Sequence, residues 1–135
     1  GTFLCCRHAI PKLVEAGGGA VVDISSLASL RGVPTHVYSA AKGGVISLTR
    51  SLAASYSGQG VRVNAICPGF VLSERVRGRF GAGASGSVIE RTAERYPFGV
   101  GEPIDIAQIA LFLASDEARM VNGAIIPADG GMSVF

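Results

Sequence analysis

Val21-Val22-Asp23-Ile24-Ser25-Ser26 and, twelve residues after its final Ser, Tyr38-Ser39-Ala40-Ala41-Lys42 form the stretch whose reading decides the fold. The first run is short, β-branched and apolar on both faces, the pattern of a buried parallel strand over Val21 to Ser25. The second lies in a helical pattern from about Val37 to Tyr56. Val45, Leu48, Leu52 and Ala53 make its apolar stripe, and small residues crowd Ser39 to Gly44. Between the two, Leu27 to Thr35 holds Gly32 and Pro34 and reads as a loop. Ser57-Gly58-Gln59-Gly60 ends the helix, and Val61 to Cys67 is a second strand closed by Pro68-Gly69. Two strands joined through a helix of this length pair in parallel.

Upstream, Gly1 to Ala16 reads as the later part of a helix, with Phe3, Cys6, Ile10, Leu13 and Val14 at helical spacing. No capping signal precedes it, and Gly17-Gly18-Gly19 stops it. Downstream, Phe70 to Gly101 is less regular. Gly81 to Gly86 reads as a flexible segment, and Val88 to Arg95 as a short helix broken by Tyr96-Pro97. Pro103 suits the first turn of a helix running to about Ser115, with Ile106, Ile109, Ala110 and Leu113 inward. Asn122-Gly123 is a tight turn into a third strand, Ala124 to Ala128, which Asp129-Gly130-Gly131 ends. The class is α/β with three parallel strands, few for a complete doubly wound sheet. The first strand lacks a neighbour on one side. A piece of a larger domain is the expectation.

The chain has 135 residues, 48% of them hydrophobic, and a mean hydropathy of +0.41. One domain is the natural prior. Only 16% is charged, against about 25% in an ordinary globular domain, which suggests surface built to be covered. A net charge of +2 implies no acidic partner. Arg75, Arg77 and Arg79 alternate in what reads as a solvated, Gly-containing loop, so no nucleic-acid partner is expected. No apolar run is long enough for a membrane span, and no secretory signal opens the chain. Cys5, Cys6 and Cys67 have no CxxC spacing and read as reduced core thiols of a cytoplasmic protein. His8 and His36 stand apart from other metal-ligating residues, so no metal is expected.

Tyr38 and Lys42 are four apart and share one helical face. A free phenol, with a pKa of about 10, is a poor base at neutrality, and a nearby cation favours the phenolate. Such a pair is a candidate proton-transfer group. In open α/β sheets ligands bind beyond the carboxyl ends of the strands. Ser25-Ser26, Pro68-Gly69 and Asp129-Gly130 all fall at such ends.

A strand-ending Ser followed by Tyr-x-x-x-Lys resembles the catalytic centre of the short-chain dehydrogenase/reductase family. Asn64-Ala65-Ile66-Cys67-Pro68-Gly69 resembles its N-x-x-x-P-G, and Asn122-Gly123 with Ala128-Asp129-Gly130-Gly131 its closing elements. The resemblance runs the length of the chain, to 3-oxoacyl-carrier-protein reductase-like members. It implies the C-terminal part of a Rossmann-type doubly wound parallel sheet, using NAD or NADP. It assigns catalysis to Ser26, Tyr38 and Lys42, and cofactor contacts to Tyr38, Lys42, Pro68, Gly69, Val71 and Ser73. Ser26 would orient the substrate oxygen, Tyr38 would transfer the proton, and Lys42 would support Tyr38 and hold the nicotinamide ribose. Pro68 to Ser73 would hold the nicotinamide face. About 72–101 would form a substrate lid.

Two departures stand out. Ser26 and Tyr38 are one residue closer than in many members, so Ser25 is an alternative for the Ser role. The family's T-G-x-x-x-G-x-G, N-N-A-G and catalytic Asn are absent from this chain, and the isolated chain is expected to be inactive. The implied partners are a small carbonyl or alcohol substrate and, in the complete protein, further copies in a homodimer or homotetramer. Two other readings are a non-catalytic α/β piece serving subunit association, and a nucleotide-binding protein of another doubly wound family. No Gly-rich loop leads into a helix, which counts against the last.

Overall fold

In a computed structural model that describes residues 1–80 and 86–134, three parallel strands form a single sheet of order β1-β2-β3. The strands are β1 (Gly19–Ile24), β2 (Val61–Pro68) and β3 (Ile125–Ala128). Helices α1 (Thr2–Glu15) and α2 (His36–Tyr56) flank β1, and α3 (Glu74–Phe80), α4 (Gly86–Ala93) and α5 (Pro103–Ala114) follow β2. Register is set by Val21 opposite Val63 and Ile24 opposite Ile66, and by Ala65 opposite Ile125.

Alternation along β2 splits the core into two layers. Val61 and Val63 point to one face, where they meet Ala53, Leu52 and Tyr56 of α2 and Leu13 and Val14 of α1. Ile66 points to the other, against Leu113, Ala118 and the partly buried Ile106, Ile109 and Ala110 of α5. Helices cover both faces, as a parallel sheet requires. The inward residues expected for α5 are the ones that pack. On α2, Val45 and Ala53 are buried as expected, but Ile46 and Thr49 join them while Leu48 and Leu52 are only partly covered. On α1 the expected core residue Phe3 is instead 59% exposed.

Polar side chains fix β3. The buried Asn64 donates to the Val121 carbonyl and accepts from the Ala124 amide, both at 2.9 Å. Asn122 accepts from the Val63 amide at 2.9 Å, and Gly123 at φ 74° donates to the Val63 carbonyl. Arg62 caps the end of α5 through the carbonyls of Leu113 and Ser115. The motif residues Asn64, Asn122 and Gly123 thus form one clasp between β2 and β3.

Three expectations need correction. Arg75, Arg77 and Arg79 lie on α3, not in a loop, and Arg77 pairs with Glu102 at 2.5 Å. The loop after β1 contains a 3-10 turn, Leu27–Ser29, because Ser26 caps it. Cys5 is exposed, whereas Cys6 and Cys67 are buried. Most of the Gly81–Gly86 segment, 81–85, falls outside the described residues.

Candidate active site

The carboxyl ends of β1 and β2 form the rim on which the candidate residues gather. Successive residues of an extended strand point to opposite sides, and this separates the two serines. Ser25 is buried and its hydroxyl donates to the Lys42 carbonyl at 2.8 Å, with the Ser29 hydroxyl at 3.0 Å. Ser26 faces outward at φ −167°, its hydroxyl accepting from the Ala28 amide at 3.2 Å. Ser29 in turn donates to the Ser26 carbonyl.

Helix α2 begins at His36, so Tyr38 and Lys42 occupy its first two turns. Tyr38 is half exposed. Lys42 Nζ lies 5.9 Å from the Tyr38 ring centroid, within cation–π range. It also donates to the Ile24 carbonyl at 2.7 Å, which ties the helix to the end of β1. Ser26, Tyr38 and Gly69 line one open pocket of about 250 Å³, together with Val33, Phe70 and Tyr96.

Gly69 has little room. A Cβ on it would lie 2.9 Å from the Asp129 Cα and 2.9 Å from Tyr96 Cε1, and its amide donates to Ala128 O at 3.0 Å. The Tyr96 hydroxyl accepts from the Phe70 amide at 3.0 Å. Burial pushes that hydroxyl's pKa upward, partly offset by the Phe70 bond, and the charges of Arg31 and Arg95 also favour its ionised form. Beyond Pro68, which closes β2, Val71 bridges to Gly101. The Ser73 hydroxyl accepts from the Val76 amide at 3.4 Å, at the start of α3. Pro68, Val71, Ser73 and Lys42 do not line this pocket. A larger cavity of about 400 Å³ lies beyond the Tyr96–Gly101 segment, between α5 and the end of β3, and contains none of the proton-transfer candidates.

Behind the rim is a group that periodicity concealed. The Asp23 carboxylate is buried, accepting from Thr49 Oγ1 at 2.9 Å and facing Cys6 Sγ at 3.8 Å. Burial raises its pKa, and the two donors offset this in part. Burial and the neighbouring Asp23 push the Cys6 thiol up to about 11. Tyr96 was equally hidden, since in the sequence it is only half of a helix-breaking Tyr-Pro pair.

A parallel sheet with helices on both faces and ligand-type side chains along its carboxyl rim defines a Rossmann-type α/β protein. The family model described as Enoyl-(Acyl carrier protein) reductase matches residues 1–133, and the chain belongs to the short-chain dehydrogenase/reductase family. It is 46% identical over 138 aligned residues to 2-(S)-hydroxypropyl-CoM dehydrogenase 3 of Xanthobacter autotrophicus, covering 100% of this chain and 54% of that one. A short-chain dehydrogenase/reductase crystal structure from Burkholderia xenovorans superposes with TM-score 0.92 at 38% identity, over 99% of this chain and 53% of the other. The NADP-bound structure of ElxO superposes with TM-score 0.91 at 28% identity, over 99% and 54%. The chain spans about half the length of the relatives it matches.

Proposed function

We propose that the chain is the proton-transfer part of a longer NAD(P)-dependent oxidoreductase that interconverts a carbonyl and a secondary alcohol. The observation that carries this reading is the convergence of Ser26 and Tyr38 on one pocket floored by Gly69, with the Lys42 ammonium beside the Tyr38 ring. Two hydroxyls facing one small space can both reach a single substrate oxygen. Ser26 orients that oxygen, and Tyr38 gives it a proton in reduction or takes one in oxidation. Of three ammonium donors on Lys42, one goes to Ile24 O. The others remain to stabilise charge on the phenol oxygen and to hold a diol. Ser25, buried against the Lys42 carbonyl, is the poorer candidate for the orienting role.

The donor set fits a nicotinamide nucleotide: a phenol and an ammonium one turn apart for a ribose, and the backbone and hydroxyl of Pro68 to Ser73 for a carboxamide. When bound, that group gives or accepts the hydride. The dinucleotide's phosphates and adenosine belong to residues outside this chain. The 72–101 segment, with α3 and α4, serves as the substrate lid. Copies associate into a homodimer or homotetramer through apolar faces such as Leu111, Phe112 and Ile104 on α5. A cytoplasmic location accords with two buried, unpaired thiols, and among the described residues no helix is long and apolar enough to cross a membrane.

The test is Tyr38→Phe in the complete protein. Ketone-dependent NAD(P)H oxidation falls by on the order of a hundred- to ten-thousand-fold, while NAD(P)H binding, followed by fluorescence titration, is retained. Turnover equal to wild type would remove Tyr38 from the mechanism.

A further inference from the structure

Next to the pocket of Ser26 and Tyr38 is a second, of about 220 Å³, which shares the walls Leu27, Val33 and Tyr96. Its remaining character is cationic. Arg31 comes from the loop after β1, Arg95 from the turn after α4, and Thr92 also lines the space. Among the described residues no acidic side chain lines it. Two guanidinium groups drawn to one small concavity repel unless something between them is negative. Among the described residues neither forms a salt bridge.

Arg31 is held in place. Its Nη1 donates to the Met132 carbonyl at 2.6 Å, and the residue is part-buried. That bond uses one of five donors and leaves the guanidinium fork oriented. Both Arg charges are felt at the Tyr96 hydroxyl, so they act across the wall the two pockets share. The acid that also acts on Tyr96 is Asp129, and its oxygens are engaged by the amides of Gly131 at 3.1 Å and Ser133 at 2.9 Å.

We propose that the pocket holding Arg31 and Arg95 is an oxyanion subsite, and that the substrate carries an anionic group at the end remote from its reacting carbon. This rests on the oxidoreductase reading, with the reacting oxygen at Ser26 and Tyr38. The carbon chain would pass Leu27, Val33 and Tyr96, and its terminal carboxylate, sulfonate or phosphonate would meet the two guanidinium groups.

The experiment measures binding, so that it does not depend on turnover. Levulinate, its methyl ester, and the keto sulfonate and keto phosphonate of the same chain length are titrated calorimetrically. The receptor is the complete protein in the presence of NADP, at low ionic strength. At least one anion binds ten-fold or more tightly than the ester, and the preferred head group identifies the anion class. Arg95→Gln and Arg31→Gln each remove most of that preference and leave the ester unaffected. Because Arg31 also ties down the chain end at Met132, the exposed Arg95 is the decisive variant. The subsite is overturned if no anion outbinds the ester, or if Arg95→Gln leaves the preference intact. Tyr38→Phe in the turnover assay judges the oxidoreductase reading separately.

Discussion

Replacing Asp23 by Asn should make the protein more stable at neutral pH, and the gain should depend on pH in a fixed way. The carboxyl is 5% exposed and meets only neutral donors, Thr49 Oγ1 at 2.9 Å and Cys6 Sγ at 3.8 Å. Among the described residues no cation acts on it, so burial dominates and holds its pKa above the ordinary value of 3.8. Below 3.8 both folded and unfolded forms are protonated, and stability is independent of this group. Between 3.8 and the raised folded value the folded state keeps a proton that the unfolded state has released. Stability is then lost as pH rises, by at most about 1.4 kcal/mol per pH unit for one proton. Above the folded value the loss is complete and constant. Asn keeps the size and the oxygen that accepts from Thr49, but has no proton to lose. The difference between Asp23→Asn and wild type should therefore be small at acid pH, widen through this window and then level off. Urea unfolding of the complete protein at a series of pH values measures it. A difference that stays flat, or that narrows as pH rises, would refute the account.

Other substitutions separate structural from chemical duties. Ser25→Ala removes the hydroxyl that ties the Lys42 carbonyl to the end of β1 and should cost about 0.5–1.5 kcal/mol in denaturation, whereas Ser26→Ala should change stability by less than about 1 kcal/mol yet lower kcat well beyond what the unfolded fraction explains. Gly69→Ala forces a Cβ to within 2.9 Å of Asp129 and Tyr96, an overpacking worth about 1–3 kcal/mol that a lowered Tm would report. Asn64→Ala leaves Ala124 N without its partner and Val121 O with only the 3.5 Å bond from Arg62; at about 1–3 kcal/mol for the stranded amide, hydrogen exchange at β3 should accelerate sharply.

Element order, parallel pairing and the inward face of α5 were legible because each rests on local pattern: β-branched runs, 3.6-residue periodicity, Pro at a first turn and Gly where φ is positive. Gly60 and Gly123, at φ 76° and 74°, are where left-handed backbone ends the turn before β2 and the turn before β3. What stayed hidden depends on tertiary partners. Thr49 is polar and falls outside the apolar stripe of α2, yet it is fully buried because it answers Asp23 across the layer. Phe3 fits the α1 period, yet it is largely exposed. The pocket of Arg31 and Arg95 joins residues more than sixty apart, and no spacing rule connects them.

The two adjacent serines illustrate how a site can be part legible. A hydroxyl pair at a strand end marks a rim, but sequence alone left both Ser25 and Ser26 as candidates for one role. The pleat sends the two hydroxyls to different surroundings. If Ser25 points under α2, Ser26 must point away, toward Tyr38. The same geometry gives Ser25 its own task, because a hydroxyl donating to the Lys42 carbonyl fixes the turn of α2 that carries the ammonium. Thr49, seven residues further along that helix, is fixed to β1 in the same way through Asp23. The helix is thus fastened to β1 at Lys42 by backbone and side chain, and again two turns later, while Tyr38 projects from its free first turn into the pocket. The role proposed for Tyr38 needs a position held to within about 0.5 Å on an otherwise reachable surface. Fastening the helix below Tyr38 and leaving the phenol half exposed meets both requirements.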